Sequence, residues 1–156
     1  MPWLSRFDPL TRPLFRIRAR LTRGLTLGVR ALVTDAEGQV LLLQHTYSPG
    51  WHMPGGGVEF GETCETAVTR ELVEEAGIEL VGRPRLLSIH SSHAYFRGDH
   101  ILFYRIDDWR PCPATSRGEI HQLKWFTPDD LPQGATSGTR RRIAEALGGA
   151  QINPLW

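Results

Sequence analysis

Cysteine, lysine and long apolar runs are all scarce in this chain, and each shortage closes off a class of protein. Cys64 and Cys112 are the only cysteines among 156 residues. They lie far apart without a CxxC pair, which argues against a disulfide scaffold and against a cysteine zinc centre. No apolar stretch approaches the roughly 18 residues of a membrane span. The N-terminal region interleaves arginine with its apolar residues, where a signal peptide would carry a clean apolar run. The chain is therefore expected to be soluble, unprocessed and cytoplasmic, with its thiols reduced. A large charge of one sign is lacking too: the net charge is +1. A field that steers a molecule to nucleic acid or an anionic membrane needs a greater imbalance, so no nucleic-acid partner is expected. Lys124 is the only lysine, a compositional bias that carries no mechanism. Internal repeats and low-complexity segments are absent, and the prolines at 111 and 113 mark a short surface loop.

What is present suffices for one core: 40% of the residues are hydrophobic, too few in a chain of this length for two sizeable cores. Three stretches are expected, a basic amphipathic segment over 1–24, one domain over 25–147 and a tail over 148–156. In the first, Arg6, Arg12, Arg16, Arg18, Arg20 and Arg23 are opposed by Asp8 alone. A helix from Thr11 to about Gly24, with Pro13 in its first turn, would put Arg12, Arg16, Arg20 and Arg23 on one face. Leu10, Leu14, Ile17 and Leu21 would share the other. That stripe suits docking on the domain or on a second subunit, which leaves a homodimer open. Contact with a membrane surface, or with a nucleic acid or phosphate, is the lesser alternative.

Strand-like runs follow at 25–34 and 39–46, joined by the turn-forming Asp35-Ala36-Glu37-Gly38 and read as a hairpin. After Pro49, Gly50 and Pro54 comes the triple glycine Gly55-Gly56-Gly57. A helix is expected from Thr63 to Ala76, stopped by Gly77. Strands at 85–93, 100–107 and 119–127 and a helix at 137–147 complete a mixed sheet with helices packed on it.

On the first helix Glu71, Glu74 and Glu75 stand at i, i+3 and i+4, on one face and about 5 to 6 Å apart. Like charges so placed weaken a helix by roughly 0.2 to 0.5 kcal/mol per pair, and only Arg70 lies beside them in sequence. Taken alone, three glutamates are an ordinary solvated face. Val68, Leu72 and Ala76, however, anchor the helix and leave the carboxylates to a cleft or to water. Hard oxygen donors of this kind suit Mg²⁺ or Mn²⁺ better than zinc. The glycines ahead of the helix let backbone approach a ligand closely, so a carbonyl there is a candidate to join the metal shell.

The larger pattern decides between these readings. Gly56, five residues, Glu62, seven residues and then Arg70-Glu71-Leu72-Val73-Glu74-Glu75-Ala76-Gly77-Ile78 resembles the Nudix box at every defined position. The lead-in Trp51-His52-Met53-Pro54-Gly55-Gly56 and the later Trp125-Phe126 with Asp129-Asp130-Leu131-Pro132 are similar to the family as well, so the resemblance spans about 25–147. It implies an α/β fold, the Nudix alpha/beta/alpha sandwich around a mixed β-sheet. It also implies a metal-dependent hydrolase of diphosphate linkages, with Mg²⁺ or Mn²⁺ as cofactor. Carried over by position, Glu74 and Glu75 are the chief metal ligands, Glu71 is a ligand or the general base, and the Gly55 carbonyl is a further ligand. Arg70, Glu62, Gly56 and Gly77 support the loop and helix. Glu119, opening the late strand, stands where many members place an extra ligand or base.

For the substrate, Tyr47, Trp51, His52 and Phe60 flank the glycine loop and are candidates to contact a nucleotide, although Trp51 and Phe60 are equally read as loop packing. His93 and His100 are candidates for a phosphate or water contact; with His90 they show no zinc spacing. The expected reaction is hydrolysis of a nucleoside diphosphate linked to another moiety, such as ADP-ribose or a nucleotide sugar. The alternatives are a nucleoside triphosphate pyrophosphohydrolase and a Nudix-fold module that senses a nucleotide without cutting it, from which box glutamates are usually lost.

Overall fold

The computed structural model describes residues 24–116 and 118–156. The basic N-terminal helix expected over 11–24 lies outside the described residues but for Gly24. The elements run β1 (Thr26–Val33), β2 (Val40–His45), α1 (Cys64–Glu71), β3 (Ile78–Leu80), β4 (Arg85–Ser91), β5 (Asp99–Ile106), β6 (Trp109–Pro111), β7 (Ile120–Phe126) and α2 (Ser137–Leu147). No helix among the described residues is long and apolar enough to cross a membrane.

Two-residue alternation along β1 and β5 builds two cores on opposite faces of the sheet. Val29, Ala31 and Val33 meet Leu102, Tyr104 and Ile106 and pack on Ala67, Val68 and Leu72 of α1. Leu32 and Phe103 face the other way, toward Ile143 of α2 and Trp51. The strands thus sit between two helices, the alpha/beta/alpha arrangement that was expected. β1 pairs in parallel with β5, which pairs antiparallel with β4. β2 pairs antiparallel with β7, and β3 with β6.

The hairpin expectation is corrected. The Asp35 carboxylate accepts the Glu37 and Gln39 amides, which makes the turn. Past the single Thr34–Val40 bridge, however, β1 and β2 part to different partners. Val40 to Leu43 are buried on both faces of β2, so this strand needs cover on both sides rather than a half-solvated ribbon. The short β3–β6 pair was not anticipated, and Pro111 closes it rather than lying in a free loop.

The Thr63 hydroxyl caps α1 by accepting the Thr66 amide. The helix passes without a break into a π-helical turn, Leu72–Ala76. Gly77 ends it in the left-handed conformation at φ 62°, its N–H reaching the Leu72 carbonyl, as an αL helix cap requires. The π turn falls where Glu74 and Glu75 are presented, in keeping with the frequent placement of such bulges at functional positions.

Candidate active site

Glu75 is the most enclosed of the three helix glutamates, 7% exposed. Its Oε2 accepts the Gly55 amide at 2.8 Å. Burial pushes its carboxyl up to about 7; the Gly55 amide and the Arg30 charge pull it down, while Glu71 and Glu119 push it further up. Burial likewise raises Glu71, against the pull of Arg70 and with a push from Glu74. Helix and glycine loop are fitted to each other. Gly55 has φ 137°, and a Cβ there would run into the Val29 carbonyl; a Cβ on Gly56 would land on the Glu71 carboxylate.

Arg70 ties the segment together. Its Nε and Nη2 donate to Glu62 at 3.0 and 3.2 Å, its Nη1 to Glu71 at 2.8 Å and Glu74 at 3.2 Å, and Nη2 also to the Gly57 carbonyl. The bonds to Glu62, and then those to Glu71, hold its guanidinium firmly charged. The Glu59 amide bonds Glu62 in turn. Arg70 and Glu62 therefore position the loop on the helix.

A second cation of the site, not among the expected residues, is Arg30 on β1. It donates through Nη1 to the Gly55 carbonyl and feels the charges of Glu75 and Glu71. A single arginine inside an apolar strand gives no pattern by which to find it. His45, at the end of β2, was also missed. Its Nδ1 lies 3.7 Å from Glu75 Oε1 and has no hydrogen-bond partner among the described residues. Burial first, then Arg30 and His52, lower its pKa to about 4. The imidazole is neutral near pH 7, so this contact is not an ion pair.

Among the described residues no three acidic, histidine or cysteine side chains converge closely enough to clasp an ion as they stand; Arg70 draws Glu71 and Glu74 to itself. The donors nevertheless fit a divalent ion chemically. They are hard oxygens, two are raised by burial that present partners do not offset, and an orphaned buried nitrogen adjoins them. Gly55 O, expected as a ligand, has two lone pairs and uses one on Arg30.

The expected substrate residues separate. His52 lines a cavity of about 420 Å³ beside the cluster, together with Arg30, Asp99, Tyr95 and Trp156. An adjoining hollow shares Arg30 and Asp99 and reaches Gly56 and Gly57, so Arg30 joins cavity to glycine loop. Tyr47 is 72% exposed and stacks on His45 with centroids 4.9 Å apart. Glu119 is exposed just ahead of β7, its carbonyl accepting the Thr46 amide, and its charge reaches Glu75 and Tyr47. Phe60 is fully exposed.

Trp51 is buried in the second core, edge-on to Phe126, the loop-packing alternative, in which a large ring behind a glycine loop gains from burial. His100 lies outside the lining of the cavity. Asp99 and Ile101 line the cavity, and strand alternation turns His100 to the opposite face. His93 sits exposed on the β4–β5 loop against Ser91 Oγ, outside the cavity lining.

A sheet between two helices, with a carboxylate helix-end fitted to a glycine loop, is the class of fold and site that the comparisons then identify. The family model of the NUDIX domain matches residues 24–147. A Bacillus subtilis (strain 168) protein with the provisional name 8-oxo-dGTP diphosphatase is 30% identical over 126 residues, 81% of this chain and 83% of that protein. An RNA pyrophosphohydrolase of Acinetobacter baylyi is 32% identical over 120 residues, 72% of either chain. The crystal structure of a MutT NUDIX hydrolase from Burkholderia pseudomallei matches with TM-score 0.65 and 32% identity, covering 76% of this chain and 95% of that one. The chain belongs to the Nudix family and is a Nudix pyrophosphohydrolase, of a family that generally uses divalent metal ions and acts on nucleotide substrates.

Proposed function

We propose that the enzyme hydrolyses the diphosphate linkage of a nucleoside diphosphate joined to another moiety, an ADP-ribose-like compound or a nucleotide sugar, with the nucleoside in the cavity. The observation that carries this reading is the continuity of cavity, Arg30 and carboxylate cluster. Tyr47, outside the cavity lining, offers an exposed ring to the group at the far end of the diphosphate. Glu71, Glu74 and Glu75, the Gly55 carbonyl and, from just ahead of β7, Glu119 would hold Mg²⁺ or Mn²⁺. The ion supplies charge neutralisation of the diphosphate and a bound water of lowered pKa. Arg30 is placed to bind the phosphate on the nucleoside side, as a guanidinium binds phosphate in a fork. A glutamate of the set takes the proton of the attacking water. Arg70 is a positioning residue, holding Glu71 and Glu74 and the Gly57 carbonyl.

The activities for which the two relatives are named favour a second reading, nucleoside triphosphate or RNA 5′-end pyrophosphohydrolysis. The box is common to both. A panel of nucleotide sugars, ADP-ribose, dinucleoside polyphosphates and nucleoside triphosphates, oxidised bases included, assayed with Mg²⁺ and with Mn²⁺, separates them. Turnover of a diphosphate-linked compound with two phosphorylated products supports the first reading. Release of pyrophosphate from triphosphates alone supports the second, and no turnover of any compound overturns both.

A further inference from the structure

We propose that the segment following α2 is part of the substrate site, and that the indole of Trp156 is the wall against which the nucleobase packs. The inference rests on the reading that the cavity receives the nucleoside. Residues 153–156 return along the edge of β4. The Ser91 amide donates to the Pro154 carbonyl at 2.8 Å, and the Trp156 amide to the Ser91 carbonyl at 2.9 Å. Beneath them lies a buried polar network. Arg142 is wholly buried; its Nη2 donates to Glu145 Oε1 at 2.6 Å and its Nη1 to the Asn153 carbonyl at 3.3 Å. Glu145 Oε1 also accepts the Asn153 amide at 3.0 Å. Arg142 Nη1 contacts His90 Nδ1 as well. Burial first, and then the guanidinium, hold that imidazole below its ordinary pKa against the opposing pull of the Asn153 carbonyl; Nδ1 lies 2.7 Å from that carbonyl oxygen and Nε2 2.6 Å from Ser88 Oγ. Arg141 donates to the Trp156 carbonyl.

Enclosing a guanidinium and a carboxylate is costly unless both are paired, and a segment that merely trailed across a surface would not need it. What the network fixes is the indole. Arg142 Cζ lies 5.5 Å from the ring centre, and the His90 and Phe103 rings meet it edge-on at 5.7 and 6.3 Å. Gly138 makes the seat, since a Cβ there would stand 2.6 Å from the indole nitrogen. Trp156 then lines the cavity with Ser92, Tyr95 and Thr136, and so does Arg30, which donates to the Gly55 carbonyl and feels the charges of Glu75 and Glu71. A base stacked on the indole would extend its phosphates toward Arg30. Aromatic stacking tolerates any base, because every base presents a π face.

The test is binding to the full chain in Mg²⁺, measured by calorimetry. The probes are the α,β-methylene diphosphates of adenosine, guanosine, uridine and cytidine, and methylenediphosphonate, which has no base. Trp156→Ala should weaken the nucleotide that the wild type binds best by about tenfold to a hundredfold. It should leave methylenediphosphonate within about twofold. Trp156→Phe should recover most of the loss, and Ile152→Ala, on the exposed part of the same segment, should match wild type. Unchanged nucleotide binding in Trp156→Ala overturns the proposal while the nucleoside reading stands. Equal loss of both probe classes, with no recovery in Trp156→Phe, also overturns it, since the residue would then serve only the fold. A wild type that binds methylenediphosphonate and none of the nucleotides overturns the nucleoside reading and this inference together.

Discussion

At the scale of single residues the site is an unequal contest between carboxylates and cations. Glu75 is buried and raised to about 7, and the cation that pulls it down, Arg30, donates to the Gly55 carbonyl. Removing the charge by Glu75→Gln keeps the shape and should lower kcat by about 10² to 10³, the loss typical when one stabilising group leaves a catalytic cluster; steady-state assays on the best compound of the panel read this. Arg30→Lys retains charge but loses the fork. It should lower kcat/KM by about tenfold or more, chiefly through KM, and an unchanged KM would remove Arg30 from phosphate binding. The box glutamates and Arg70 were legible because their spacing is invariant under any fold. Arg30, His45 and Trp156 were not, since each acts through a neighbour distant in sequence and none makes a periodic pattern.

At the scale of elements, local rules located the helices well and the strand partners poorly. Thr63, Gly77 and the apolar positions between them bound the helix and its π turn within a residue, and α2 falls where it was expected. The turn at Asp35 was also legible, yet the separation of β1 from β2 was not, because partner choice depends on β5 and β7 more than sixty residues later. Two helix features carry predictions. Gly77→Ala places a side chain at φ 62° with its Cβ 2.6 Å from the Cys112 carbonyl, and should destabilise by more than the ~1 kcal/mol that the same change gains where the backbone accepts alanine, read by urea unfolding. Glu145→Ala leaves Arg142 buried without its carboxylate and should cost about 3 to 5 kcal/mol. A loss under about 1 kcal/mol would mean that the network does not anchor the segment beneath Trp156.

For the whole molecule, the raised Glu75 carboxyl couples folding, pH and metal. Its ordinary pKa is 4.5 and its folded value about 7, so the folded protein binds the extra proton between those values. The stability it contributes is complete below about pH 4.5 and is lost as pH rises through 7. A divalent ion competes with that proton and binds the folded state alone. The rise in Tm on adding Mg²⁺ should therefore be larger at pH 8 than at pH 6, as differential scanning fluorimetry would show. An equal rise at both would separate the metal from Glu75.

The central claim is that water attacks a phosphoanhydride at the end of α1 with a divalent ion held by the helix carboxylates. The most direct measurement is turnover of the best compound of the panel in ¹⁸O-labelled water, with Mg²⁺, after chelation, and in Glu75→Gln. One ¹⁸O should enter a product phosphate, and that label should be abolished by chelation, restored by Mg²⁺ and nearly absent in Glu75→Gln. Label entering a carbon-bound oxygen, or turnover that survives both chelation and the substitution, would contradict it.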